Sequence, residues 1–185
     1  MKHLGTKQLE TKRLLLRPFM MDDAAAMHQN WAGDPEVTKY LTWPAHESVS
    51  VSAAILSDWQ AQYAQADYYQ WAIVLKEEGA DPIGSISVVK QDDATEIVQI
   101  GYCIGRRWLR RGITSEAFER VIAFFFREVG VSRIESVFDA ANENSGKVME
   151  KCGLVYEGRH RQAAVSNQGR YDAIIHAMLR DDYGL

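Results

Sequence analysis

The chain has 185 residues, a length that suits one domain with a sizeable core better than two domains. Hydrophobic residues make up 46% and charged residues 25%, which is the composition of an ordinary soluble globular protein. The net charge of −4 argues against a basic nucleic-acid-binding surface as the main function. We therefore predict a single domain over residues 1–185 with no nucleic acid partner.

Two further features of the sequence bear on where the protein works. Residues 1–11 are polar and lack the apolar core of a signal peptide, and no run approaches the roughly 18 apolar residues of a membrane span. Neither cysteine, Cys103 or Cys152, belongs to a metal-binding spacing, and two lone thiols suit a reducing compartment. We expect a cytoplasmic protein with no membrane partner and no metal ion.

The first half of the chain predicts one strand, then helices, then a hairpin. Leucines bounded by charged residues form the strand, acidic residues begin the helical segments, and apolar residues at helical spacing predict a longer helix. In chain order these are a strand at 14–16, a helix start after Asp22 and Asp23, a turn or helix start at Asp34-Pro35, a helix over 48–66, and a hairpin of strands 69–75 and 82–89.

The second half alternates strands and helices. A stripe of apolar residues marks one long helix, and Gly153 ends a shorter one. In chain order we predict a strand over 96–104, a helix over 114–128, a strand over 134–138, a helix over 145–151, and antiparallel strands over 156–162 and 171–179. Strands and helices mixed in this way predict an α/β (α+β) fold, in which helices cover a sheet.

The segment from Asn142 to Leu154 is the first candidate site. Asn142 and Ser145 open a short amphipathic helix, whose apolar residues recur at three- and four-residue spacing. Two polar side chains at a helix start can bond an amide-bearing cofactor arm. Asn142 could instead simply cap the helix, and the segment alone leaves both interpretations open.

A second candidate site is the basic turn that precedes the helix over 114–128. Such a strand-to-helix turn leaves backbone N–H groups free, and Gly112 lets the backbone approach a ligand closely. The positive end of the helix suits a pyrophosphate group. Further positive charge comes from Arg106, Arg107, Arg110 and Arg111. By itself, a basic turn before a helix is often only a solvated surface.

Together these two segments resemble the GNAT superfamily of acetyl-CoA-dependent N-acetyltransferases, in particular the branch of the ribosomal-protein-alanine N-acetyltransferases (RimJ/RimL-like). Further matching segments extend the resemblance along nearly the whole chain, at residues 11–18, 40–46, 99–104, 156–158 and 171–172. The resemblance implies a mixed, largely antiparallel sheet of six to seven strands. That sheet would be splayed after its central strand and flanked by about four helices, and the cofactor would enter the splay.

The resemblance also implies which residues hold the cofactor, acetyl-CoA. These are Tyr102, Cys103, Ile104, Leu109, Arg110, Arg111, Gly112, Ile113, Thr114, Ser115, Asn142, Ser145 and Lys147. Leu109 and Thr114 depart from the family's phosphate-binding pattern, which predicts reduced cofactor affinity. Met149 stands where many relatives carry a tyrosine that protonates the departing thiolate. Ser145 is therefore the best candidate to hydrogen-bond the sulfur atom.

Acetyl transfer requires a neutral amine, so a base or a chain of water molecules must take a proton. The family's central strand often carries a glutamate just before an Ile-Gly-Tyr sequence, but this chain has Gln99 at that position. Glu96 lies three residues earlier, where the alternation of strand side chains could place it on the wrong face. His46 lies in a loop and has a suitable unperturbed pKa. Glu96, His46 and a water relay stay open as alternatives.

The predicted function is therefore transfer of an acetyl group from acetyl-CoA to a primary amine, by direct attack in a ternary complex. We expect a protein N-terminal amine as the acceptor. One alternative is a small-molecule amine acetyltransferase. Another is a non-catalytic acetyl-CoA-binding module, which Gln99 and Met149 favour. Members of this branch often pair, so we also expect a homodimer, although the plentiful aromatic residues support it only weakly.

Overall fold

A mixed sheet of eight strands organises the computed structural model, which describes all residues from Met1 to Leu185. The strands are β1 (Leu9–Glu10), β2 (Leu14–Arg17), β3 (Gln70–Leu75), β4 (Pro82–Asp92), β5 (Ile97–Ile104), β6 (Arg133–Asp139), β7 (Val155–Ser166) and β8 (Gly169–Leu179). Their order across the sheet is β1-β2-β3-β4-β5-β6-β8-β7. All neighbouring strands are antiparallel except β5 and β6, which run parallel.

Five helices connect the strands, and two of them end in wider π turns. They are α1 (Ala24–Met27), α2 (Pro35–Thr38), α3 (Val49–Gln62), α4 (Ile113–Phe124) and α5 (Glu143–Lys151), with π turns at His28–Ala32 and Phe125–Val129. Asp34 caps α2, because its carboxylate accepts a hydrogen bond from the Glu36 N–H at 2.9 Å. The Asp-Pro pair is therefore a helix start. None of these helices combines the length and apolar character needed to cross a bilayer.

The helices cover the sheet in two layers. Helices α4 and α5 lie on one face, where the larger apolar cluster includes Phe118, Ile100 and Met149. Helices α1 to α3 lie on the other face, where a smaller cluster surrounds Trp31 and Leu56. Every residue of β3 is buried, because this strand has both neighbours in the sheet and apolar layers on both faces.

The parallel pair β5 and β6 separates soon after it begins. Only Ile97–Gln99 of β5 pair with Arg133–Glu135 of β6. At the point of separation, the Ser136 hydroxyl donates to the Ile100 carbonyl at 2.7 Å. Beyond it, β5 stays paired with β4 and β6 stays paired with β8. We call the resulting gap, between residues 100–104 and residues 136–139, the fork.

These observations confirm the predicted fold class, including the splay after the central strand. The sheet has eight strands rather than six or seven, because the two-residue β1 adds to the edge beside β2. Two residues are too few to show an alternating pattern, so no sequence signal could reveal this strand. The predicted boundaries of the long helices differ from the observed ones by a few residues, as frayed helix ends commonly do.

One buried ion pair fixes the start of the α1–α3 layer to β2. Both nitrogens at the tip of Arg17 donate to the Asp23 carboxylate, at 2.7 and 2.8 Å, and the Met20 N–H donates to the same carboxylate at 2.7 Å. The side chains of Arg17 and Asp23 are only 11% and 5% exposed. A guanidinium and a carboxylate buried this deeply depend on each other, since either alone would be an uncompensated charge.

We therefore expect Asp23→Ala to lower the free energy of unfolding by about 3–5 kcal/mol, because it leaves the Arg17 guanidinium buried and unpaired. Urea denaturation monitored by circular dichroism measures this difference. Asp22→Ala is the matched control, since Asp22 is exposed and its substitution should change stability by less than about 0.5 kcal/mol. Equal stability of the two variants would contradict the role of the buried pair.

Candidate active site

The turn between β5 and α4 presents free backbone donors at the open end of the fork. Arg110 and Gly112 both adopt left-handed backbone conformations, with φ of 61° and 70°. No side chain caps α4, and the N–H groups of Ile113, Thr114 and Ser115 donate to no protein acceptor. Free N–H groups and the positive end of a helix dipole suit a phosphate group.

Three of the four arginines around this turn are paired with acidic residues. Arg111 donates to Glu78 at 2.8 Å and to Glu77 at 3.0 Å, and its hydrogen bond is the main reason that the pKa of Glu78 lies below its usual value. The other two pairs are Arg106 with Asp34 at 2.6 Å and Arg107 with Glu78 at 3.7 Å. Arg110 has no acidic partner. The unpaired positive charge is therefore smaller than the sequence led us to expect.

Two other cations, which no sequence pattern singled out, lie beside Gly112. A Cβ atom on residue 112 would lie 3.5 Å from Lys151 Nζ and 3.8 Å from an Nη atom of Arg13. Arg13 also braces the turn, because it donates to the Glu116 carboxylate at 2.6 Å and to the Arg111 carbonyl at 3.0 Å. Lys151 has no acidic partner. A lysine in the last turn of a helix is common, so only the contact between α4 and α5 reveals its position.

Hydrogen bonds between Tyr102 and Ser145 join the open strand β5 to the start of α5. The Tyr102 hydroxyl donates to the Ser145 carbonyl at 3.0 Å, and the Ser145 hydroxyl donates to the Tyr102 oxygen at 3.2 Å. Burial raises the pKa of Tyr102 far above its ordinary value, so the phenol stays neutral. Ser145 is thus held at the fork with its hydroxyl beside β5.

Close packing at the fork also explains why the residue after Ser145 is a glycine. A Cβ atom on Gly146 would lie 2.6 Å from the ring of Phe138 on β6, so only glycine allows α5 to approach that strand. Met149 is buried in the core, and its thioether has no hydrogen to donate to a thiolate. Lys147 is exposed on the same helix.

Asn142 occupies the N-cap position of α5. Its side chain makes no capping hydrogen bond there, which favours the ligand interpretation over the cap interpretation. The Asn142 backbone is nevertheless well anchored, since its N–H donates to the Asp139 carbonyl at 2.7 Å and its carbonyl accepts from the Ser145 N–H at 3.0 Å. The Asn142 amide is therefore free to bond a ligand at the fork.

Neither candidate base makes a hydrogen bond to Ser145. Glu96 is exposed in the turn before β5, at the closed end of the β5–β6 pair, and accepts a hydrogen bond from Ser132 at 2.9 Å. The paired residues 97–99 separate Glu96 from the fork, which argues against Glu96 as the base. His46 shares a hydrogen bond of 2.8 Å with Ser52 on α3, and burial lowers its pKa, which weakens it as a base.

A loop between α2 and α3 bridges the fork on the α1–α3 side of the sheet. The Tyr40 hydroxyl donates to the Ala141 carbonyl at 3.3 Å, beyond the end of β6. The side-chain amide of Asn167, in the turn between β7 and β8, donates to three carbonyls of the loop, those of Thr38, Leu41 and Trp43. No sequence pattern indicated these contacts. They border the opening through which an acceptor would approach.

The forked sheet, the turn with free N–H groups and the polar helix start agree with the acetyltransferase fold that the sequence predicted. Residues 13–155 match the acetyltransferase (GNAT) domain, so the chain belongs to the GNAT family. The uncharacterized N-acetyltransferase YoaA of Bacillus subtilis (strain 168) is 30% identical over 172 residues, which cover 93% of this chain and 96% of YoaA. The chain is therefore an N-acetyltransferase, as its sequence predicted.

Solved structures of other acetyltransferases share the fold. A GNAT-family acetyltransferase from Bacillus anthracis superposes with a TM-score of 0.82 at 23% identity, covering 95% of this chain and 99% of that one. RimL, a ribosomal L7/L12 alpha-N-protein acetyltransferase in complex with coenzyme A, superposes with a TM-score of 0.83 at 18% identity and the same coverage. At these identities, the two structures support the fold alone.

Both cysteines should resist modification in the folded protein. Burial raises the pKa of Cys152 to about 12, and burial also raises the pKa of Cys103. Because the thiolate is the reactive form, we expect both thiols to react slowly with a disulfide reagent at about pH 8 and rapidly after unfolding in guanidinium. The time course of 5,5′-dithiobis(2-nitrobenzoate) labelling measures this. Fast labelling of either thiol in the native protein would contradict the burial.

Proposed function

We propose that the protein transfers the acetyl group of acetyl-CoA to a primary amine, and that this amine is a protein N-terminus. The fork carries the proposal. Residues 100–104 of β5 have no strand partner on the side that faces β6, while the free N–H groups of the turn lie at one end and Ser145 lies beside the strand. The cofactor arm would pair with the free backbone of Tyr102, Cys103 and Ile104.

The dimensions of the fork agree with this assignment. Five strand residues span about 16 Å at the usual rise per residue, which is comparable to an extended pantetheine arm. With its phosphates at the turn before α4, the cofactor would therefore place its thioester near the narrow end of the fork. Ser145 bonds Tyr102, partway between the two ends of the fork, so Asn142 and Ser145 at the start of α5 could bond the arm and the sulfur atom.

The chemistry follows from these positions. A neutral amine attacks the thioester carbonyl, the carbon–sulfur bond breaks, and the thiolate takes up a proton. Backbone N–H groups at the fork would stabilise the developing oxyanion. The Ser145 hydroxyl, which bonds Tyr102 in the free protein, would turn towards the sulfur when the cofactor is bound. Holding both reactants in one cleft supplies a further part of the acceleration.

Two observations support a protein N-terminus as the acceptor. RimL, which shares the fold, is a ribosomal L7/L12 alpha-N-protein acetyltransferase. In this chain, the α1–α3 layer packs against β4 and β5, and on the same face of β6 the side chains of Arg133, Glu135 and Val137 stay partly exposed, where an extended peptide could lie. The cytoplasmic location and the homodimer stay predictions.

A screen of acceptors tests the proposal. The protein is incubated with acetyl-CoA and either peptides with free N-termini, the same peptides with blocked N-termini, or small amines. Thiol release and the mass of the products are then measured. We expect turnover with free N-termini and none with blocked ones. Turnover confined to small amines would show that the acceptor assignment is wrong, and binding of acetyl-CoA without turnover would contradict transfer.

We expect Lys151→Ala to weaken acetyl-CoA binding about five- to tenfold, because Lys151 is an unpaired cation beside Gly112. Isothermal titration calorimetry measures the Kd. Lys2→Ala is the matched control, because it also removes one lysine charge. Lys2 contacts Val129, which ends the π turn after α4, so it lies far from Gly112 at the start of that helix. If both substitutions raised the Kd equally, acetyl-CoA binding would depend only on the total charge of the protein, and the specific role of Lys151 would be wrong.

Ser145→Ala should lower kcat by about 10- to 1000-fold and leave the Kd for acetyl-CoA nearly unchanged, if the serine donates to the sulfur mainly in the transition state. Asn144→Ala is the control, because Asn144 is an exposed neighbour in the same helical turn. Steady-state kinetics, calorimetry and thermal unfolding on the same preparations separate catalysis, binding and stability. A kcat equal to that of the unmodified protein would refute the catalytic role.

A further inference from the structure

We infer that the Glu135 carboxylate is the base that takes the proton from the acceptor amine, a role that rests on the proposed acetyl transfer. Gln99 and Glu135 are the last residues that pair between β5 and β6. The next residue of each strand, Ile100 and Ser136, marks the start of the fork. Glu135 therefore lies at the narrow end, where the thioester of the proposed complex would be held.

The alternation of side chains along β6 decides which face Glu135 occupies. Ile134 and Phe138 pack into the apolar cluster beneath α4 and α5. Glu135 therefore projects from the opposite face of the sheet. On β5, that face carries Gly101 and Cys103, and Cys103 packs against the cluster of the α1–α3 layer. The Glu135 side chain is 27% exposed on this face, so an amine can reach it from solvent.

The charge of the Glu135 carboxylate is only partly neutralised by its neighbours. One of its oxygens accepts a hydrogen bond from Arg133 at 2.8 Å, and the side chain is 27% exposed. The two terminal nitrogens of Arg133 bind Glu157 on β7. A single guanidinium thus serves two carboxylates, so the group of three carries one net negative charge. That charge attracts an ammonium group, and the second Glu135 oxygen has no protein partner.

Other carboxylates near the open face are less well placed. Asp139 shares the face of Glu135 but lies at the far end of β6, where it accepts a hydrogen bond from the Ala141 N–H at 2.9 Å. Glu157 lies on β7, with β8 between it and β6. Glu96 lies beyond the closed end of the pair. The fork thus has one carboxylate at the level where its strands separate.

An ammonium group becomes an amide nitrogen by losing two protons. One proton passes to the Glu135 carboxylate, directly or through one water molecule, and leaves for solvent. The freed lone pair forms the bond to the acetyl carbon as the carbon–sulfur bond breaks. The nitrogen loses its second proton after the attack. That proton balances the one that the departing thiolate takes up, so coenzyme A leaves as a neutral thiol.

The test is Glu135→Gln, which keeps the shape of the side chain and removes its basicity. We expect kcat/KM for the amine to fall by about 100-fold or more, with the Kd for acetyl-CoA within about twofold of the unmodified protein. Glu10→Gln is the matched control, because Glu10 is exposed on the edge strand β1, at the other side of the sheet from β6, and it should retain activity within about threefold. Thermal unfolding of both variants shows that the fold is kept.

A second variant separates a catalytic from a structural role. Glu135→Ala should regain part of its turnover when formate or acetate is added, since a small carboxylate can occupy the vacant space. Normal kcat/KM in Glu135→Gln, or loss of activity with no rescue of Glu135→Ala, would overturn the assignment. If the unmodified protein binds acetyl-CoA but acetylates no amine, the proposed function itself fails, and the role of Glu135 fails with it.

Discussion

The separation of β5 from β6 after three residue pairs is the constraint on which the site depends. The two strands are parallel, so the chain must cross from one to the other, and α4 makes that crossing. The fork consequently opens at the carboxyl ends of both strands, which is also where α4 and α5 begin. Two helix N-termini, each with free donors and a positive dipole end, therefore border the same gap.

The gap is supported from both sides by contacts that keep its edges apart and in register. On the α4–α5 side, Tyr102 bonds Ser145, and Gly146 lets α5 approach Phe138. On the other side, the loop after α2 connects to Ala141 and to the turn that carries Asn167. These bonds leave the backbone of the fork free while satisfying the groups around it. A ligand that enters would find its donors already in place, which reduces the cost of ordering on binding.

Charge is distributed unevenly around the fork, and the distribution matches the two reactants. Near α4, Arg13 and Lys151 lie beside Gly112, while Arg111 is held by two glutamates on the adjoining segment. A negative phosphate group is favoured at that end. At the narrow end, Glu135 and Glu157 share one arginine and leave a net negative charge, which favours a cationic amine. These opposite charges agree with the proposed positions of the cofactor and the acceptor at opposite ends of the cleft.

The sequence by itself determined the strands, the long helices and the two segments around Gly112 and Ser145, because hydrophobic period and turn chemistry are local properties. It could not reveal β1, which is too short to show a period. Nor could it show that Arg111 is neutralised, that Lys151 reaches Gly112, or that Glu135 rather than Glu96 lies at the fork. Only the tertiary structure decided those contacts. Strand register and helix packing bring together residues that are far apart in the chain, and no local sequence pattern encodes which residues come into contact.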